Sequence, residues 1–203
     1  MKSYSKLVIL LITLFSFNAA LAQSTMKAPV RYKLKNGITL IVAQNAGSGK
    51  IYSRLTVENQ AATNETIYAQ VLENYMNQQA TKFNELMLVN GETTKITMNY
   101  NEGNTATNVY GFEQAFNFVS QSFLNTDVSI HAFAEMKNLY AGNVADLKTV
   151  TLKDLQAYYS KTFKAQDTYI TIAGDITPAQ AREIATKAFA NTKHTEVVSS
   201  TAE

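Results

Sequence analysis

The sequence predicts an α+β fold: a mixed, mainly antiparallel sheet with helices packed on one face. Three observations predict it. The run Val30 to Ala43 alternates polar and apolar residues on both sides of Asn36-Gly37, as a two-residue β-hairpin does. Phe112, Phe116, Val119 and Phe123 recur at helical spacing and mark a helix whose apolar stripe belongs to a core. Along the chain, strands give way to a helix, strands return, helices follow, and a last strand precedes a last helix. That order suits helices gathered over one side of a sheet.

The elements follow from local signals. Val30, Tyr32 and Leu34 share one face of the first strand, and Ile38, Leu40 and Val42 share one face of the second. A small-residue loop from Gln44 to Lys50 leads to a third strand, Ile51 to Glu58. Asn64 can cap a helix over Glu65 to Ala80, where Ile67, Val71, Leu72 and Tyr75 fall at helical spacing. A shorter helix is expected over Phe83 to Val89, stopped by Asn90-Gly91. Thr93 to Tyr100 alternates as a strand with Ile96 and Met98 on one face. Asn101 to Asn104 reads as a turn, with Thr105 to Tyr110 returning as the partner strand. After the aromatic helix, a further helix is expected over Ser129 to Tyr140. Thr151 caps the next, with Asp154 three residues on and Leu152, Leu155 and Tyr159 turned inward. Thr168 to Ala173 is a short buried strand closed by Gly174-Asp175. Thr177-Pro178 then opens a helix running to about Asn191.

The N-terminus reads as a secretory signal. Lys2 and Lys6 precede an apolar run from Leu7 to Phe17, and Ala20 and Ala22 supply the small residues of a cleavage site. The run is too short for a settled membrane span. The expected organisation is residues 1–22 as signal peptide, 23–193 as a single domain and 194–203 as a polar tail. The protein is expected outside the cytoplasm, periplasmic or extracellular, with no membrane anchor after cleavage. Cleavage removes two lysines and no acid, so 18 basic and 16 acidic residues become 16 of each. A neutral chain offers no electrostatic case for nucleic acid. The absence of Cys excludes thiol nucleophiles and Cys-based zinc sites. The only histidines, His131 and His194, are far apart in sequence, and a lone His on an amphipathic helix is expected to be structural.

Two stretches carry a family resemblance. RYKLKNGITLIVAQN, Arg31 to Asn45, resembles the opening hairpin of the insulinase/pitrilysin (M16) zinc peptidases. VTLKDLQAYYSKTF followed by DTYITIAGDITPAQAREIATKAF, within Val150 to Phe189, is similar to a second hallmark of that family. The resemblance implies the α+β metallohydrolase domain of those enzymes. It also implies a site on the first helix, where active members carry H-x-x-E-H: two His hold zinc and the Glu acts as base. Here the matching residues are Gln70-Val71-Leu72-Glu73-Asn74. Glu73 matches the base, while Gln70 and Asn74 stand in place of the ligands. Side-chain amides are poor donors for zinc, which prefers imidazole, thiolate or carboxylate. The family's third ligand is a downstream Glu, for which Glu135 is the nearest candidate.

The positions Gln70, Glu73 and Asn74 therefore read as a vestigial motif, with no catalytic residue, no metal ligand set and no cofactor expected. Asp175 is expected to shape a strand-to-helix turn, and the sequon at Asn64 to serve as a cap. The function that follows is a non-catalytic M16-like protein, a binding or structural subunit. Its expected partners are a catalytic M16 peptidase or a second copy, and peptides as ligands, an extended segment adding to a sheet edge. The alternative is an active peptidase, zinc-dependent or metal-independent, with an unrecognised site.

Overall fold

The computed structural model describes residues 26–58, 66–91, 93–124, 128–140 and 146–190. The signal peptide, the Asn64 cap and the C-terminal tail lie outside the described residues. Among the described residues six strands form one sheet: β1 (Val30–Lys33), β2 (Thr39–Gln44), β3 (Lys50–Val57), β4 (Lys95–Met98), β5 (Glu102–Asn108) and β6 (Thr168–Gly174). The helices are α1 (Thr66–Val89), α2 (Phe112–Leu124), α3 (Ile130–Leu139), α4 (Leu152–Thr162) and α5 (Pro178–Ala188). The strand order is β1-β2-β6-β3-β5-β4. Only β2 and β6 run parallel; the other neighbours are antiparallel. The expected α+β fold with a mixed, mainly antiparallel sheet is what the chain adopts.

Period-two alternation gives the sheet one buried and one open face. Leu40, Val42, Ile51, Leu55, Ile96, Met98, Ile170 and Ile172 are buried under the helices, whereas Tyr52, Arg54, Lys95 and Thr171 are exposed. The predicted aromatic stripe of α2 is core: Phe112, Phe116, Val119 and Phe123 are all buried. It continues into the C-terminal helix, with Phe116 edge-on to Phe189 at 6.4 Å and Phe189 stacked on Phe163 at 5.9 Å. Such ring pairs add to the stabilisation from burial alone.

Helix starts follow their caps. Ser129 accepts from Ala132 N–H, and Thr151 from Asp154 N–H at 3.2 Å. At α5, Thr177 and Gln180 form a full capping box, with Pro178 as the first residue of the helix.

Three local expectations are corrected. The stretch read as two helices is the single helix α1, because nothing between Ala80 and Phe83 breaks it. Ala69, Leu72, Met76, Ala80, Phe83 and Met87 form one continuous buried stripe. The first hairpin has a three-residue loop, Lys35-Asn36-Gly37, rather than a two-residue one. Leu34 and Ile38 remain bonded across it, and only Gly37 takes positive φ (97°), whereas a type I′ turn needs it at both positions. The turn before β5 also lies earlier than expected. Asn99 Oδ1 accepts from the N–H groups of Asn101 and Glu102, so β5 already begins at Glu102.

β6 ends against the start of β3. Gly174 has φ of 134°, and a Cβ there would lie 2.1 Å from the Lys50 carbonyl oxygen. Both conditions exclude a side chain. Gly174→Ala is expected to cost about 3 kcal/mol or more, a fall in thermal midpoint of roughly 6–12 °C. Thermal unfolding followed by circular dichroism checks this.

Candidate functional site

The buried stripe of α1 fixes the rotation of the helix. With Val71, Leu72 and Met76 buried, Gln70 is exposed and Glu73 and Asn74 are half-buried. Residues four apart share a helix face, so Gln70 and Asn74 keep the placement of a ligand pair. Their chemistry is that of neutral amides. The Gln70 carbonyl oxygen accepts a hydrogen bond from the Tyr140 hydroxyl at 3.2 Å, just beyond the end of α3.

Helix α3 packs against α1, but it does not deliver Glu135 to the motif. Glu135 Oε1 accepts from Lys82 Nζ at 2.6 Å. Lys82 is eight residues beyond Asn74, about 12 Å along the helix. Among the described residues, no three His, Cys, Asp or Glu gather in a group able to hold a metal ion. The donors at the motif, two amides and one carboxylate, do not fit a tetrahedral zinc with three protein ligands. His131 is exposed on α3. Asp175 ties a loop: its two carboxylate oxygens accept from Gly47 N–H at 2.9 Å and Gly49 N–H at 3.1 Å.

Along α1 from the motif lies a feature that sequence reasoning missed. A cavity of about 360 Å³ opens between α1, α2, α3 and α4, lined by Tyr75, Gln79, Phe118, Ser122, Met136 and Tyr159 among others. Burial raises the Tyr75 hydroxyl pKa, helped by the charge of Glu135 and opposed by that of Lys82. Burial raises Tyr159 much further, with the charge of Tyr75 adding to it, and its hydroxyl donates to the Ser122 carbonyl. No local pattern marks this cavity, since its walls come from four helices.

On the open face of the sheet, Arg54 forms an ion pair with Glu102. Burial acts to raise the Glu102 pKa, but the Asn104 amide and the Arg54 guanidinium outweigh it and hold the carboxyl below its ordinary value.

Fold and site together define an α+β domain whose first long helix presents two amides and a carboxylate, Gln70, Asn74 and Glu73. Residues 149–202, about a quarter of the chain, match the family described as the peptidase M16 inactive domain. No curated protein matches the chain in sequence. Solved structures match its fold. A protease from Helicobacter pylori is 13% identical with a TM-score of 0.65, over 82% of this chain and 51% of that one. The peptidase M16 inactive domain from Pseudomonas fluorescens is 13% identical with a TM-score of 0.62, over 81% and 50%. The periplasmic protease PqqL from Escherichia coli is 14% identical with a TM-score of 0.52, over 80% and 24%. The chain thus spans about half the length of the first two and a quarter of the third. The fold is similar to that of M16 peptidase domains. No helix among the described residues is long and apolar enough to cross a membrane.

Tyr75 and Tyr159 have raised folded-state values, so the stability they contribute is complete below pH 10.0, the ordinary tyrosine value, and is lost as pH rises through the raised ones. The thermal midpoint is expected to fall on the alkaline side of pH 10. Tyr159→Phe should flatten that fall while lowering neutral stability by about 1 kcal/mol through the lost bond to Ser122. Melting curves across the alkaline range check both.

Proposed function

We propose that this chain is an exported, non-catalytic M16-type protein that serves as a binding or structural subunit. It acts beside a catalytic M16 peptidase or a second copy of itself, and peptides are its ligand class. The observation that carries the reading is the pair of amides at Gln70 and Asn74, on a helix whose rotation still presents the two positions together. The match of residues 149–202 to an inactive domain supports it independently.

Export is supported by the basic-then-apolar N-terminus and by a matched structure described as periplasmic. The donor chemistry supports a reading without a cofactor: two amides and Glu73 leave zinc without its usual nitrogen or sulfur ligands. Without bound metal there is nothing to acidify a water, so Glu73 has no nucleophile to generate.

Two measurements test the reading. Light scattering on a sizing column should show self-association, or a complex when an M16 peptidase with an intact H-x-x-E-H motif from the same organism is added. A strict monomer indifferent to such a peptidase would sink the subunit role. The Gln70→His/Asn74→His double variant is expected to gain weak zinc binding without peptide hydrolysis, because Glu135 stays with Lys82. Chelator-sensitive cleavage by that variant would show that a third ligand is within reach.

A further inference from the structure

Four helices enclose the cavity beside the motif, and a separate contact joins each pair of neighbouring walls. Phe83 and Phe118 join α1 to α2, with ring centroids 4.5 Å apart. The Tyr159 hydroxyl donates to the Ser122 carbonyl, joining α4 to α2. Gln156 Nε2 donates to the Val128 carbonyl at 3.0 Å, joining α4 to the lead into α3. Lys82 Nζ donates to Glu135 Oε1 at 2.6 Å, joining α1 to α3. This ring of contacts is closed, so the fold itself sets the space of about 360 Å³ without help from a ligand. Walls formed in advance cut the ordering cost of binding.

The lining has two parts. Met76, Met136 and Tyr159 are buried and Phe118 is half-buried, which gives a floor of thioethers and rings. Tyr75 and Gln79, both half-buried, add a hydroxyl and an amide. Among the described residues neither of these two groups has a hydrogen-bond partner. Burial raises the Tyr75 pKa, so its hydroxyl stays a donor. Among the described residues no Asp, Glu, Lys, Arg or His lines the space. A charged ligand would lose hydration there and meet no counter-charge. Thioethers and aromatic rings pack well against a flat π-system. We infer that the cavity binds one uncharged aromatic ring, with a hydrogen-bonding edge turned to Tyr75 and Gln79. A void of about 150 Å³ already admits benzene, so a substituted ring has room here. The same chemistry is offered by a free phenol-like molecule and by a tyrosine-like residue of a peptide. The inference stands apart from the proposed subunit role, since it rests on the cavity alone.

The test is a titration of the full chain, with isotope-labelled methionine methyl groups read by NMR. Para-cresol or N-acetyl-tyrosinamide should shift the Met76 and Met136 methyls saturably, with a Kd of about 1 mM or tighter. The Met87 and Met98 methyls, away from the cavity, should stay in place. Tighter binding of N-acetyl-tyrosinamide puts the ring on a peptide; tighter binding of para-cresol puts it on a free small molecule. N-acetyl-alaninamide lacks the ring and para-hydroxyphenylacetate adds a carboxylate, and each should bind at least about tenfold more weakly. Ala132 lines the space, so Ala132→Phe should abolish the shifts while circular dichroism stays native. Tyr75→Phe/Gln79→Leu should weaken binding about tenfold. The inference is overturned if neither probe shifts the two methyls, or if the ringless or the charged probe binds as well. Undiminished binding by either variant also overturns it. If Ala132→Phe does not fold, Ala132→Met fills the same space and the same criteria apply. No peptidase partner enters these measurements, so failure here is distinct from failure of the subunit role.

Discussion

The sheet depends on β6. The hairpin β1–β2 and the meander of β3, β5 and β4 do not bond to each other; each bonds to β6, parallel on one side and antiparallel on the other. Ile170 and Ile172 fill the middle of the core from this strand, and α5, which follows it, packs back on β2. Even the hairpin loop is tied to this end of the chain, through a bond from Asn36 Nδ2 to the Phe189 carbonyl at 3.2 Å. Where β6 ends, the contact with Lys50 is backbone on backbone, which is why only glycine fits there.

This arrangement separates what holds the fold from the polar residues of its first helix. The side chains that orient α1 point into the core, whereas Gln70 is exposed and Glu73 and Asn74 are half-buried. Glu135, the candidate third donor, makes an ion pair across α1 and α3 instead. An ion pair of this exposure contributes little to stability.

Much of the fold was legible in the sequence because it rests on local periodicity and caps. The α2 stripe, the Thr151 and Thr177 caps and the buried strand before Gly174-Asp175 all read correctly. What failed was decided beyond a few residues. Continuity of α1 through Ala80 and Phe83 depends on the core beneath it. The hairpin loop took a third residue because Asn36 keeps negative φ. The place of β6 between β2 and β3 has no local signature. At the candidate site, the identity of the motif residues was legible, but the engagement of Glu135 by Lys82 was not. Nor was the cavity beside the motif, whose walls come from four helices.

The central strand also sets a timetable. As the chain leaves the ribosome, β2 and β3 emerge well before β6, and both must wait with an unbonded side until residues 168–174 have been made. Pairing that spans the chain in this way is intrinsically slow. A nascent or stalled chain lacking its last third carries two raw sheet margins and no means of joining them, the condition in which chaperones are needed and aggregation begins. The strand that completes the molecule is also the one whose late arrival leaves it most exposed.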